Sequence, residues 1–551
     1  MSTSGSGVLA TARRGPSPRL LLAPLRHPVV AATLLAAALG LFWALALANE
    51  AGDLAAQYAW TDFTRQHPDA AYNLSWYGGM HTASYSVLSP YLMGLLGVRT
   101  TGVLAGTVSA AIGADLLVRS GLRRPLLPAL WTAFALWCDI ASGRVTFATG
   151  VVFGLAATAL VHPRAVLTRS RGAGLFALAA LATLGSPVVG LFLEVVAAAL
   201  FLGRRRGEAY LLAGAPVLVV AGTSLLFPFY GVQPFDWWAA LPVVAVALAV
   251  ALLVPREWRA VRSGALVYGL GVVLVWLVPS PVGSNVDRLW LLFAGTALLA
   301  AALEPRPGLR IGPHAVAAVF LATAGWLVVK TAGDLASTVP VQAATQDYGP
   351  LVAELRALGA DRGRVEVVPM RTHWEAAALA PYVELARGWN RQADVSRNPL
   401  FYVGTLTPDS YHAWLLRWSV GYVVLPSDTP DDAAVTEAAV VASDPSWLRP
   451  VWQNRSWRLY RVTDAAPLAQ PPATVQQAGA AALTVQVPDP GSVLLRVPFS
   501  PWLGISGSDA DGDDGCLAQS GDWTVLHAPH AGTYRITGQY TLNRGAPCRA
   551  A

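Results

Sequence analysis

Lysine is nearly missing from this chain of 551 residues: of its 39 basic residues only Lys330 is not arginine. Charge of either sign is scarce, at 13% against 54% hydrophobic residues, where an ordinary soluble domain carries roughly 25% charge. A purely soluble enzyme is not expected on that balance. Three cysteines exclude both a disulfide-dense scaffold and a cysteine-rich zinc module, leaving at most one bridge and one thiol. The signatures of soluble nucleotide and hydrolase chemistry are missing too. No glycine-rich loop precedes the one lysine, so there is no Walker A motif, and neither a GxGxxG after a strand nor a GxSxG elbow occurs. Any energy or group donor is therefore expected to be lipid-borne or an ion gradient, if there is one at all.

What the chain does have is long apolar runs. About eleven runs of 15 to 22 residues, the first at 28–49 and the last at 312–331, read as membrane-spanning candidates before residue 332. Residues 83–97 (ASYSVLSPYLMGLLG) are too short and carry Ser84, Ser86, Ser89 and Pro90, so they are expected to form helical elements at the membrane surface or partly re-entrant ones. Arginine decides orientation, because it is held back on the cytoplasmic side during insertion. With the N-terminus inside, the cytoplasmic segments hold 18 arginines, including Arg13, Arg14, Arg19, Arg164, Arg204, Arg259, Arg306 and Arg310, against 4 in the opposite loops (Arg65, Arg99, Arg144, Arg288). An odd number of spans then places the rest of the chain outside. The net charge divides accordingly, +11 up to residue 331 and −5 beyond it. The overall +6 is a topology signal and not a nucleic-acid footprint.

From about residue 340 the composition becomes that of a globular domain. Residues 347–358 and 408–419 read as helices, and RVEVVPM from Arg364, GYVVLP from Gly421 and WRLYRV from Trp457 as strands. After a Pro- and Gln-rich linker at 465–477 the pattern is strand only. The expected fold is therefore an α-helical polytopic membrane bundle (1–331), then an extracytoplasmic α/β domain (340–463) and a small β-sandwich (473–551). Cys516 and Cys548 flank the last strands in a compartment that is oxidising on this topology, and a disulfide is expected. Cys138 sits in an apolar run and reads as a filler.

Candidate chemistry gathers at the outer helix ends. The first outer loop, residues 52–99, opens with Asp53 and adds Asp62, Asp69, His67, His81, Trp60, Tyr72, Trp76 and Tyr77. An acid near a low-dielectric region is suited to general-base work, whereas the bland reading is a wet loop with interfacial aromatics. Asp139 and Arg144 frame a second outer turn, as a charge pair for catalysis or a local ion pair. In PSPVGSNVDRLW, Asn285, Asp287 and Arg288 suit phosphate binding or, more simply, a helix cap. Glu194 lies mid-helix, where an acid suggests function or a hydrogen bond within the bundle. The DADGDDG turn places its Gly one position late for an EF-hand and reads as a solvated acidic turn.

The layout resembles the GT-C superfamily of membrane glycosyltransferases: a polytopic bundle, a long first outer loop opening with Asp53, a second acid at Asp139, the SGRVTFATGVVFGL stretch, and an outer C-terminal domain. The tail, with SVGYVVLP, WRLYRV and a sandwich, looks like the extracytoplasmic part of bacterial membrane proteins of lipoteichoic-acid-type glycosylation. The resemblance implies transfer of a sugar from a polyprenyl-phosphate donor to an envelope glycan or glycolipid acceptor outside the membrane. Asp53 and Asp139 would be catalytic, with Arg144, Arg288 and Asn285 binding phosphate and His81, Trp76 and Tyr77 binding substrate. No cofactor is required; a divalent cation (Mg or Mn) is optional, since no adjacent acidic pair follows the first helix. Two other readings remain open, a major-facilitator-type transporter of lipids or drugs and a non-catalytic scaffold.

Overall fold

The computed structural model of the chain describes residues 26–161, 166–304, 313–340, 347–508, 515–541 and 545–548. Arg13, Arg14, Arg19, Arg164, Arg306 and Arg310, and the acidic turn with Asp509, Asp511 and Asp513, lie outside these residues.

The N-terminal part is a helical bundle with its polarity turned inside out relative to a soluble protein. Leu45, Leu218 and Val329 point outward at 85%, 63% and 72% exposure, while alanines (Ala32, Ala36, Ala110, Ala114, Ala129, Ala133) fill the interior. Among hydrocarbon tails an apolar surface gains nothing by hiding, so close backbone approach over small residues holds the helices together. Among the described residues, six helices are long and apolar enough to cross a membrane: Pro28–Leu47, Val98–Arg119, Arg206–Leu226, Arg259–Leu277, Gly283–Leu303 and His314–Thr338. The count of eleven is not reached on this criterion. Leu126–Ala141, Val145–Ala159, Pro187–Leu202 and Trp237–Leu253 are shorter, and Arg169–Gly185 opens with two arginines. In the 83–97 segment a helix forms only at Ser89–Leu96, after which Gly97 at φ +85° turns the chain into Val98–Arg119.

The C-terminal part is β-rich. Counting the first-loop hairpin as β1 (Tyr72–Asn73) and β2 (Met80–His81), a five-stranded sheet follows with β3 (Arg364–Val367), β4 (Glu384–Leu385), β5 (Val420–Pro426), β6 (Leu448–Gln453) and β7 (Trp457–Val462). Its order is β4-β3-β5-β7-β6, parallel across β4, β3 and β5 and antiparallel beyond. Residues 474 to 538 then build two facing sheets, β11-β14-β9-β8 and β10-β13-β12 (β8 Thr474–Gly479, β9 Ala482–Val487, β10 Gly491–Pro498, β11 Leu503–Ser508, β12 Cys516–Ser520, β13 Trp523–Ala528, β14 Gly532–Gly538). β8 begins inside the stretch whose composition suggested a linker. Alternation drives the packing: Leu483, Val485 and Val487 of one sheet meet Val493, Leu495 and Val497 of the other in one core. Cys516 and Cys548 are joined by a disulfide that closes this unit.

The first loop is the staple between all three parts. The Tyr72 hydroxyl donates to the Pro498 carbonyl (2.9 Å) and the Leu74 amide to the Ala480 carbonyl (2.7 Å). On its other flank the Gly78 carbonyl accepts from Arg364 Nη2 (2.9 Å) and the Tyr77 hydroxyl donates to the Asn390 carbonyl (3.0 Å). These bonds seat the C-terminal domains over one end of the bundle.

Candidate functional site

The first loop begins as a helix, Asp53–Gln66. Gly52 makes this possible: at φ +63° it turns the chain sharply, with its amide bonded to the Thr372 carbonyl (2.6 Å). An aspartate at the first helical position complements the positive end of the helix dipole. At helical spacing, Asp53, Ala56, Gln57 and Trp60 then form one wall of a cavity of about 250 Å³. The facing wall comes from the bundle, as Arg144, Thr146 and Phe147 on one side and Asn285 and Arg288 on the other, with Gln233 and Tyr85 between. The roof is the α/β-domain loop Trp389, Asn390, Arg391 and Gln392.

Arg144 sits in the turn between Leu126–Ala141 and Val145–Ala159. Gly143 at φ +77° allows that turn, and a Cβ there would lie 3.0 Å from Leu54 Cγ. Gln57 locks the turn to the first-loop helix: its amide nitrogen donates to the Gly143 carbonyl, and its oxygen accepts from the Thr146 amide (2.9 Å) and hydroxyl (3.1 Å). Held there, the guanidinium meets three carboxylates, Asp53 at 3.8 Å, Asp139 at 3.6 Å and Asp334 at 3.2 Å. Their exposures differ sharply. The Asp53 side chain is 44% accessible, whereas that of Asp139 is 5% accessible beneath Arg144. Asp334 is 35% accessible but does not line the cavity, so Asp53 alone of the three can reach a ligand there. Arg144 itself fills the centre among the three acids, and among the described residues no group of three His, Cys, Asp or Glu side chains is arranged to hold a metal ion. With Arg144 at their centre, the three acids do not fit a divalent cation.

Arg288 is 9% exposed. It donates from Nη2 to Asn285 Oδ1 (2.7 Å), and its guanidinium lies 5.0 Å over the Phe147 ring. That bond turns the Asn285 amide nitrogen into a buried donor without a partner; Arg144 Nε is likewise buried with no hydrogen bond. Unfilled donors beside two guanidinium groups make a receptor for an anion with several oxygens. Asp287, the neighbour of Arg288, pairs instead with Lys330 at 3.7 Å. Burial raises the Tyr85 phenol above its usual pKa, so Tyr85 offers a neutral hydroxyl to the same space.

The roof is rigid. Trp389 stacks on His373 at 3.3 Å, and Arg391 makes paired bonds to Asp431 (2.8 and 3.1 Å). Burial works to lower the His373 pKa, but hydrogen bonds to Asp431 and Glu375 outweigh it and raise the pKa. The Val232 amide ties the bundle to the Gln392 carbonyl (3.0 Å).

The expected site residues thus separate. Asp53, Arg144, Arg288 and Asn285 share the cavity, and Asp139 lies directly behind it. Trp76 and Tyr77 do not line it; they are 1% and 0% exposed in the joint with the α/β domain. His81 also lies outside, bonded to Ser500 Oγ (2.8 Å) and the Pro228 carbonyl (3.3 Å), with burial lowering its pKa to about 4. Glu194 does not line this cavity either. Sequence reading missed Gln57, Tyr85, Asp334 and the Trp389–Gln392 roof. Asp334 did leave a signal, as the acid at the far end of an otherwise apolar span; the roof left none.

A family model described as a domain of unknown function (DUF8823) matches residues 470–551. No curated protein matches the chain. Among solved structures, arabinofuranosyltransferase AftD from Mycobacteria is similar at 15% identity and a TM-score of 0.44, over 94% of this chain and 40% of that one. A mutant form of that enzyme gives 15% identity and a TM-score of 0.40, over 79% and 42%. This chain therefore spans less than half the length of those enzymes.

Proposed function

We propose that the protein is a membrane glycosyltransferase of GT-C type that transfers a sugar from a polyprenyl-phosphate donor to a hydroxyl of an envelope glycan or glycolipid, on the outer face. One observation carries the reading: an accessible carboxylate, Asp53, stands in the same cavity as Arg144, Arg288 and the unpartnered Asn285 amide. Base and anion receptor are the two parts an inverting transfer from a glycosyl phosphate needs.

The acceptor hydroxyl gives its proton to an Asp53 carboxylate oxygen as its oxygen bonds to the sugar's anomeric carbon. The bond from that carbon to the phosphate oxygen breaks, and the electron pair leaves with the carrier phosphate. Arg288, Asn285 and Arg144 receive the charge that develops there, the kind of preorganised compensation that is usually the largest catalytic term. Asp139, buried beneath Arg144, and Asp334, outside the cavity lining, hold the guanidinium in place. Trp60 and Trp389 supply flat faces for the sugar ring.

The test is transfer by purified protein in nanodiscs supplied with labelled polyprenyl-phosphate sugars and envelope acceptors. Asp53→Asn is expected to reduce transfer by about a hundredfold or more while leaving the unfolding temperature near that of the native chain. Undiminished transfer by that variant removes Asp53 from the reaction.

A further inference from the structure

A second cavity, of about 830 Å³, lies at the opposite end of the bundle and takes no part in the chemistry above. The Arg288–Leu303 helix links the two: Arg288 faces the first cavity, and Phe293, Thr296, Ala297 and Ala300 face the second, about 8 to 18 Å further along at the rise of an α-helix. The second cavity opens among the last turns of Val98–Arg119 and Pro187–Leu202, the stretch of Arg288–Leu303 from Phe293 to Ala300, and the first turn of Arg259–Leu277. Its walls are hydrocarbon, from Leu117, Leu200, Phe293 and Ala297 among others, and its rim carries Arg204, Arg205 and Arg259. Arg205 is committed to Glu208 at 2.6 Å. Arg204 and Arg259 are exposed and have no carboxylate partner among the described residues. The one acid in the lining is Glu257.

We propose that this cavity is a binding site for an anionic phospholipid, with an acyl chain between the helices and the phosphodiester at Arg204 and Arg259. Each half of the site excludes a simpler ligand. A free phosphate would leave the apolar walls unfilled, and a neutral lipid would leave two guanidinium groups uncompensated at the membrane edge, where basic pockets between helices select anionic headgroups. A bilayer lipid is also at hand at this depth, whereas a glycosyl carrier with its phosphate at this rim would hold its sugar at the other end of the bundle from Asp53. The inference does not depend on the proposed transferase activity.

The test uses the full chain, delipidated in neutral detergent. Native mass spectrometry and thermal unfolding are followed while phosphatidylglycerol, phosphatidylcholine with the same acyl chains, or inorganic phosphate is added. Phosphatidylglycerol is expected to remain bound and to raise the unfolding temperature, with at least tenfold weaker effects from the other two. An Arg204→Asn, Arg259→Gln double variant should lose that preference; asparagine is chosen because Arg204 sits at φ +63°, which asparagine tolerates. Ala297→Phe, which fills the cavity and leaves the rim intact, should weaken phosphatidylglycerol binding as well. Equal binding of the two lipids, a preference retained in the double variant, or a stabilisation reproduced by phosphate alone would each overturn the proposal.

Discussion

Replacing Arg144 by methionine distinguishes Asp139 from Asp53, two of the three aspartates around it, because the loss is unequal for them. Methionine keeps most of the side-chain volume and removes the charge. Asp139, at 3.6 Å and 5% exposed, is then a buried carboxylate without its partner, while Asp53, at 3.8 Å and 44% exposed, turns to solvent. At an effective dielectric of about 20, the gross attraction at 3.6 Å is roughly 4 to 5 kcal/mol, and removing one partner of a buried pair commonly costs about 3 to 5 kcal/mol. For the exposed Asp53 pair the corresponding figure is below about 1 kcal/mol. Arg144→Met is therefore expected to destabilise the bundle by about 3 kcal/mol, and adding Asp139→Asn should restore most of that, whereas adding Asp53→Asn should restore almost none. The chain carries its own reporter. Cys138 is its single free thiol and is buried next to Asp139, so a fluorogenic maleimide reads out opening of this corner as temperature or denaturant rises. Transfer measured on the same samples supplies the second axis: Asp139→Asn alone should cost less than about tenfold, against about a hundredfold or more for Asp53→Asn. Rescue of Arg144→Met by Asp53→Asn but not by Asp139→Asn would refute the burial argument, as would abolished transfer in a well-folded Asp139→Asn.

Three further outcomes follow from the geometry. Arg288→Met should raise the KM for a polyprenyl-phosphate donor by at least about tenfold, the effect of losing a charge-assisted bond of about 1.5 to 3 kcal/mol, and should do so far more than it raises the KM for the acceptor, as initial-rate kinetics would show. In the α/β domain Glu384 is buried with both carboxylate oxygens lacking a hydrogen bond, and burial pushes its pKa up to about 8 although Arg364 at 3.8 Å opposes the shift. The folded state then holds that proton more tightly than the unfolded chain, so stability falls as pH rises from the ordinary carboxylate range through about 8; Glu384→Gln should flatten this slope in denaturant titrations between those limits. Replacing Cys516 and Cys548 by serine opens a link across 32 residues and should cost about 4 kcal/mol by loop entropy, visible as earlier proteolysis of the sandwich than of the bundle.

Local patterning carried much of the fold. Long apolar runs announced the helical membrane part, and period-two alternation announced strands such as Ala482–Val487 and Trp523–Ala528. Thr474–Gly479 was hidden because TVQQAG is mostly polar and exposed, and pairing with Ala482–Val487, not burial, makes it a strand. Trp76 and Tyr77 misled for a related reason. An aromatic pair in an outer loop looks like a substrate platform, yet both rings are consumed in docking the α/β domain.

By itself the sequence determined that the N-terminal part is a helical membrane part, because transfer free energy is local and sums along a run; it did not fix how many helices are long enough to cross. It also marked Asp53, Arg144, Asn285 and Arg288 as charged or polar groups at helix ends, where apolar surroundings make such groups costly unless used. Only the tertiary structure decided which of them face one another and which acid can be touched. Asp53 and Asp139 are equivalent as residues; a Gly143 turn pinned by Gln57 places Arg144 over one and beside the other. The roof from Trp389 to Gln392 lies more than 300 residues beyond Asp53 in the chain, a distance over which no periodicity or spacing carries information.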